Sequence, residues 1–325
     1  MDNTTSLLAR HQSLLASRKP LLADVFDPAL ASLLPQAKLH TDLFTLAQQV
    51  QRAQFAPWPH YQGEDLLILP LPKSLERLSF LLAQLAGQIQ QPLECWLVGP
   101  AKGGIKGALK HLEAACTKVS LKDSARHCKL YTGYLQPAAA KSPWQYFELN
   151  GKRVASLPGV FSHGRLDEGS ALLLEDLQAA PAAGKRVLDV GCGAGVLSLH
   201  LAQAGHQLSA VDISATAVAA CQQTLADNAL EASVFASNFL SEASGRFHAI
   251  ISNPPFHTGM NRDLGLAKRL IEQSREHLYQ DGELRLVANR NLPYHDWLTA
   301  SFNKVSISRE TSRFRIWRAT GPRQM

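Results

Sequence analysis

The segment Ser252-Asn253-Pro254-Pro255-Phe256-His257 follows the apolar run Phe247-His248-Ala249-Ile250-Ile251. The run reads as a buried strand. The two prolines end it, because proline has no N–H for a ladder and restricts the residue before it. The tip therefore presents an amide side chain, free carbonyls and an aromatic ring in one place. Asn253 Oδ1 and the Pro254 carbonyl can each accept one N–H of an exocyclic amine, and Phe256 can stack on a base for about 1–3 kcal/mol. Such an amine is conjugated with its ring and is a poor nucleophile. Two acceptors on its hydrogens move electron density onto nitrogen and aim its lone pair, a positioning mechanism that needs no strong base. A paired base cannot reach such a pocket, so the target is unpaired or flipped out. His257 is read as a loop hydrogen-bonding residue. The alternative is a rigid Pro-Pro turn that only caps a strand.

The partner chemistry sits upstream. Val187-Leu188-Asp189-Val190-Gly191-Cys192-Gly193-Ala194-Gly195 is a buried strand running into a three-glycine turn and a helix. Glycines let the backbone approach a ligand closely, and a helix N-terminus offers free N–H groups. The dinucleotide fingerprint spaces its glycines G-x-G-x-x-G. Here the spacing is G-x-G-x-G, and Asp189 stands two positions before the first glycine. An acid so close repels a pyrophosphate but suits a ligand bearing an ammonium and a sulfonium. Asp212 ends the next strand, where a carboxylate can accept both hydroxyls of a ribose. Asn238 follows the strand Val234-Phe235-Ala236, placed to meet an adenine, with Phe239 beside it. Cys192, inside the turn, has no nucleophilic partner nearby and reads as a small packing residue.

These groups need a parallel sheet to hold them. The pattern predicts strands at 186–190, 207–211, 232–236, 247–251 and 283–288, alternating with helices at 195–204, 215–227, 263–278 and 293–301. The runs 304–308 and 314–318 are separated by a short turn and must be antiparallel. A five-strand doubly wound sheet finished by a hairpin follows. Asn150-Gly151 marks a further hairpin between 144–149 and 153–157. The first half is less regular. Leu66–Pro70 and Cys95–Gly99 read as strands flanking a helix through Leu75, Leu78, Leu81, Leu82 and Leu85, a βαβ unit. Gly99-Pro100-Ala101-Lys102-Gly103-Gly104-Ile105-Lys106-Gly107 then makes a glycine-rich turn into a helix. No acid precedes it and its spacing fits no nucleotide, so it is read as a worn copy of such a loop or a tight turn, without cofactor. Gln136–Pro143 is the expected linker.

Bulk properties narrow the class. A chain of 325 residues with 46% hydrophobic and 18% charged residues has room for two globular domains. No apolar stretch approaches the roughly 20 residues of a membrane span, and the start lacks the basic and apolar regions of a secretion signal. Five cysteines without Cys-x-x-Cys spacing argue for a reducing compartment and against a structural metal site. The expectation is a cytoplasmic protein with no metal. Net charge is +6. Eight basic residues face three acidic ones after Gly282, five of them arginines between Arg309 and Arg323. That excess suits either a solvated surface or a phosphate-contacting face.

Taken together, the glycine turn, Asp189, Asp212 and Asn238 resemble the class I S-adenosylmethionine-dependent methyltransferases, although many relatives carry an acid where Asn238 stands. The resemblance implies a donor site of Asp189, Gly191, Gly193, Gly195, Asp212, Asn238, Phe239 and Asn253, and a catalytic turn of Asn253, Pro254, Pro255 and Phe256. The block Leu157-Pro158-Gly159-Val160-Phe161-Ser162-His163-Gly164-Arg165-Leu166-Asp167-Glu168-Gly169-Ser170, with Asn253–His257 and Val287-Ala288-Asn289, is similar to enzymes that modify guanine N2 in ribosomal RNA. Lys122–Cys128 and Leu130–Gly133 extend the likeness upstream to the small-subunit rRNA methyltransferase C family. That family pairs a degenerate N-terminal methyltransferase-like domain with a catalytic C-terminal one. The resemblance implies two tandem Rossmann-like domains, 1–140 without cofactor and 141–325 catalytic, the latter with a seven-stranded mixed sheet ending in an antiparallel hairpin. It makes the glycine turn at 99–107 a remnant of a lost cofactor loop. It further implies methyl transfer to guanine N2 of 16S rRNA in the 30S subunit by a monomer that contacts no membrane, with Phe256, His257, Arg313 and Arg315 toward the substrate. Rival readings are a 23S rRNA guanine-N2 enzyme, a protein glutamine methyltransferase and a non-enzymatic RNA-binding protein.

Overall fold

In the computed structural model, residues 2–254 and 261–323 are described, the side chains of 261–264 excepted. The chain divides into two compact units, Met1–Trp144 and Gln145–Met325. The second carries the regular alternation. Its sheet strands are β10 (Arg186–Val190), β11 (Gln207–Asp212), β12 (Ser233–Ala236), β13 (Phe247–Ser252), β14 (Leu278–Asn289), β15 (Phe302–Glu310) and β16 (Phe314–Pro322), ordered β12-β11-β10-β13-β14-β16-β15. The first five are parallel; helices cross over between β10 and β11, β11 and β12, and β13 and β14, while β12 reaches β13 through the loop 237–246. The last two form the expected antiparallel hairpin, whose returning strand β16 slips in beside β14. Val187, Leu188, Ala249, Ile250 and Ile251 are fully buried, as strands covered by helices on both faces must be. Strand β14 begins at Leu278 rather than Glu283; an irregularity in its pairing with β13 admits the polar Gln280-Asp281-Gly282 before the apolar run starts. A separate hairpin of β8 (Gln145–Leu149) and β9 (Lys152–Ser156) turns through Asn150 and Gly151, both at positive φ. It is joined to the helix Ala215–Asp227, where the Ala155 N–H donates to Thr224 Oγ1.

The first unit repeats the design. Strands β1 (Pro20–Leu22), β2 (Lys38–Thr41), β3 (Ala53–Phe55), β4 (Leu66–Pro70), β5 (Leu93–Pro100), β6 (Cys116–Ala125) and β7 (Cys128–Leu135) are ordered β3-β2-β1-β4-β5-β7-β6, the same winding. The βαβ unit read from the sequence is β4, the helix Leu75–Ala86 and β5. Strands β1 to β3 escape sequence reasoning because each spans only three or four residues. One expectation is corrected by this topology. The glycine-rich turn at 99–107 follows the fifth strand of its sheet, so it is not the worn counterpart of Gly191–Gly195, which follows the first. The counterpart is Ala23-Asp24-Val25-Phe26-Asp27 after β1, which contains no glycine. Gly104, at φ 99°, simply begins the helix Ile105–Ala115. Among the described residues no helix is long and apolar enough to cross a membrane.

Candidate active site

The donor side is built at the C-terminal tips of β10 and β11. Gly191, Gly193 and Gly195 take φ of 77°, 52° and 82°, a region where a side chain is strained. At Gly195 space matters as well, since a Cβ would sit 3.0 Å from Cys221 Sγ. The N–H groups of Gly191 and Cys192 donate to the Val211 carbonyl at 2.8 and 3.0 Å. Asp212 fastens the turn further. Its Oδ2 accepts the Gly193 N–H and its Oδ1 the Ser214 N–H, both at 3.0 Å. Each carboxylate oxygen keeps a lone pair for another donor. Burial raises the Asp212 pKa above the usual carboxylate value, and the N–H bonds from the turn pull it back down.

Asp189 lies inside β10, opposite Ala210 and Ile251, and is 1% exposed. Ser198 Oγ donates to its Oδ2 at 2.6 Å. Its Oδ1 is buried and accepts no hydrogen bond among the described residues. Burial pushes this carboxyl up to about 7; the Ser198 bond opposes the shift and the Asp212 charge adds to it. Asn238 and Phe239 follow β12, both half-buried. Phe239 has φ 57°, packs against the core and lies under the Arg269 guanidinium at 5.7 Å.

The acceptor side stands next to it. Val190 pairs with Ser252, whose hydroxyl donates to the Val190 carbonyl at 2.8 Å. Gly191 and Asn253, the next residues in line, leave the sheet side by side. Asn253 Nδ2 donates to Asp167 Oδ2 at 3.0 Å and to Ser170 Oγ at 2.8 Å. Because a carboxylate oxygen can only accept, the nitrogen end of the amide must face Asp167. The oxygen end, Oδ1, is buried and accepts nothing among the described residues; leaving such a group unpaired costs about 1–3 kcal/mol. Pro254 is buried beside it. Pro255, Phe256 and His257 lie outside the described residues.

Asp167 and Ser170 had no role assigned from sequence, although both belong to the Leu157–Ser170 block. The available signal was local: Asp167 is an N-cap, and its Oδ2 accepts the N–H groups of Gly169 and Ser170 at the start of the helix Glu168–Ala179. Arg313 and Arg315 are not bare cations. Arg313 pairs with Glu168, one residue from Asp167, and Arg315 with Glu310 at 3.0 Å. Both pairs are exposed enough for another anion to compete. Among the described residues no group of three or more His, Cys, Asp or Glu side chains is placed to hold a metal. An open cavity of 580 Å³ lined by Arg186, Gln207, Ser233 and Phe247 opens at the other ends of these strands, away from the tips where such sheets bind ligands.

A sheet of this winding, with a glycine turn after its first strand and an acid ending its second, defines a methyltransferase of the class I fold. Residues 151–318 match the family described as Methyltransferase small domain, and residues 5–148 match Methyltransferase small domain N-terminal. The chain is 48% identical to Ribosomal RNA small subunit methyltransferase C of Alcanivorax borkumensis, covering 98% of this chain and 99% of that one, and it belongs to this family. The Psychromonas ingrahamii protein of the same name is 37% identical over 97% of this chain and 96% of its own. A T. thermophilus 16S rRNA N2 G1207 methyltransferase, solved in complex with AdoMet and guanosine, superimposes with a TM-score of 0.84 over 98% of this chain and 92% of that one, at 24% identity. That likeness is one of fold.

Proposed function

We propose that this chain transfers the methyl group of S-adenosylmethionine to the exocyclic N2 of a guanine in 16S rRNA, acting as a cytoplasmic monomer on the 30S subunit. The observation that carries the reading is the buried, unpartnered Oδ1 of Asn253 beside the glycine turn. Relatives across nearly the whole length are named as small-subunit rRNA methyltransferases. The T. thermophilus protein was solved with AdoMet and guanosine, the donor and acceptor that this site requires.

The residues present fit the donor. In this reading Asp189 Oδ1 would pair with its ammonium, the backbone of Gly191–Gly195 would hold its methionine moiety, Asp212 its ribose, and Asn238 with Phe239 its adenine. When bound, the group supplies an electrophilic methyl on a sulfonium. Asn253 Oδ1 and the Pro254 carbonyl accept hydrogen bonds from the two N–H groups of the guanine amine and point its lone pair toward the donor; Phe256 and His257 are assigned to the base from the sequence motif alone. The amine becomes acidic only as its nitrogen is methylated, and the surplus proton then passes to solvent, so no residue need remove it beforehand. Arg313 and Arg315 exchange their carboxylate partners for RNA phosphates.

The N-terminal domain, residues 1–140, is read as a methyltransferase-like domain without cofactor. Where the glycine turn would stand, Asp24 forms a buried ion pair with Arg77 at 2.8 Å. Where Asp212 would stand, Thr41 ends β2, its Oγ1 accepting the Leu43 N–H. Both features support the reading of a domain that does not hold the donor. Transfer of labelled methyl from S-adenosylmethionine to isolated ribosomal subunits tests the whole reading. Label is expected in 30S particles, at N2 of one guanine; label confined to 50S particles, or none in either, overturns it.

A further inference from the structure

An asparagine amide has two ends of nearly equal shape and opposite hydrogen-bonding character. Turned one way, Asn253 offers an acceptor to the incoming amine; turned the other, it sets one NH2 against another. Resting on the reading of Asn253 as the amine acceptor, we propose that Asp167 and Ser170 are positioning residues that fix the polarity of this amide. Both hydrogens of Nδ2 are already committed, one to Asp167 Oδ2 and one to Ser170 Oγ. The reversed amide would press its oxygen against the Asp167 carboxylate, so only one orientation is stable.

The clamp is itself held. Asp167 Oδ2 accepts the Gly169 and Ser170 N–H groups at 2.9 and 3.1 Å, which fixes the carboxylate on the end of its helix. The helix is in turn pinned at its far end, where the buried Arg285 donates to Asp176 at 3.2 Å. Gly169 supplies the third element. A Cβ there would stand 3.0 Å from Asp167 Oδ2 and 3.3 Å from Asn253 Oδ1. Its φ is not left-handed, so the reason for glycine is room beside the acceptor oxygen rather than backbone freedom.

The test compares the full chain with Ser170→Ala, Ser170→Thr, Asn253→Ala and the double variant Ser170→Ala/Asn253→Ala on unmethylated 30S subunits. Ser170 is chosen because Asp167 also caps the helix, and its loss would mix two effects. Single-turnover methyl incorporation gives the rate, titration of 30S subunits gives KM, and calorimetry gives the Kd for S-adenosylmethionine. Ser170→Ala is expected to lower kcat roughly tenfold, the loss of about one hydrogen bond, with KM and donor Kd within about twofold. Ser170→Thr, which keeps the hydroxyl, restores the rate. In the Asn253→Ala background the Ser170 change has no further effect, because the group it acts through is gone. An unchanged kcat in Ser170→Ala, failure of Thr to rescue, or equal losses in both backgrounds overturns the positioning role while leaving Asn253 as acceptor. Full turnover in Asn253→Ala alone overturns the acceptor reading itself.

Discussion

Asp189 is a carboxyl held inside a strand with one oxygen bonded to Ser198 and the other buried. Burial lifts its carboxyl from the usual 3.8 to about 7. The folded chain therefore holds a proton that the unfolded chain releases near pH 4. Stability of the ligand-free protein should fall as pH rises from about 4 to about 7, by an order of a few kcal/mol for this group alone. Asp212, also raised, contributes with the same sign. A cationic donor reverses the preference by pairing with the ionised form, so affinity for S-adenosylmethionine should rise between pH 6 and 7.5. Asp189→Asn is expected to flatten the pH dependence of Tm in the ligand-free protein and to weaken donor binding by at least about tenfold. Thermal melts and calorimetry at the two pH values check both effects; an Asn variant that keeps the wild-type slope and affinity contradicts this role.

At the scale of elements, the helix Glu168–Ala179 links the acceptor to the sheet. Its N-terminus carries Asp167 and Ser170, and near its C-terminus it meets a buried charge cluster on β14. Arg285, 0% exposed, bonds Asp176 and Glu283, and Glu283 also receives Arg318. Replacing such a cluster whole by apolar groups can be neutral, but removing one partner strands the others in a dry interior. Arg285→Ala leaves two carboxylates behind and should cost about 3–5 kcal/mol, read from urea unfolding. A loss below about 1 kcal/mol would show that the helix does not depend on this anchor.

The whole molecule contains one winding used twice, with the strand tips of the two sheets filled differently. The second sheet keeps, behind its glycine turn, an acid with one buried oxygen that accepts no hydrogen bond among the described residues. The first places the Asp24–Arg77 ion pair after its first strand and Thr41 at the end of its second, where the second sheet has Asp212. Calorimetric titration of the full chain should accordingly find one S-adenosylmethionine per molecule, and Asp212→Ala should abolish it. A stoichiometry of two, or binding that survives that substitution, would mean that the first sheet also holds the donor.

The second domain was legible in the sequence to within a few residues, because its parallel strands are short, mostly apolar runs bounded by turn residues and its crossover helices are long enough to show their period. Its chemistry was legible for a related reason. Glycines forced by positive φ, an acid ending a strand and prolines stopping a ladder are local requirements that leave local marks. Three things were decided only by tertiary structure. Strands of three or four residues in the first domain carry too little pattern, so its identical winding emerges only from pairing, and with it the true counterpart of the glycine turn. Arg313 reads as a free cation until the hairpin lays it against Glu168. And Asn253 is separated in the chain by more than 80 residues from Asp167 and Ser170. Sequence alone singled out Asn253 as an amide at a strand tip; which of its two ends faces Asp167 is set by a carboxylate that only folding brings within 3.0 Å.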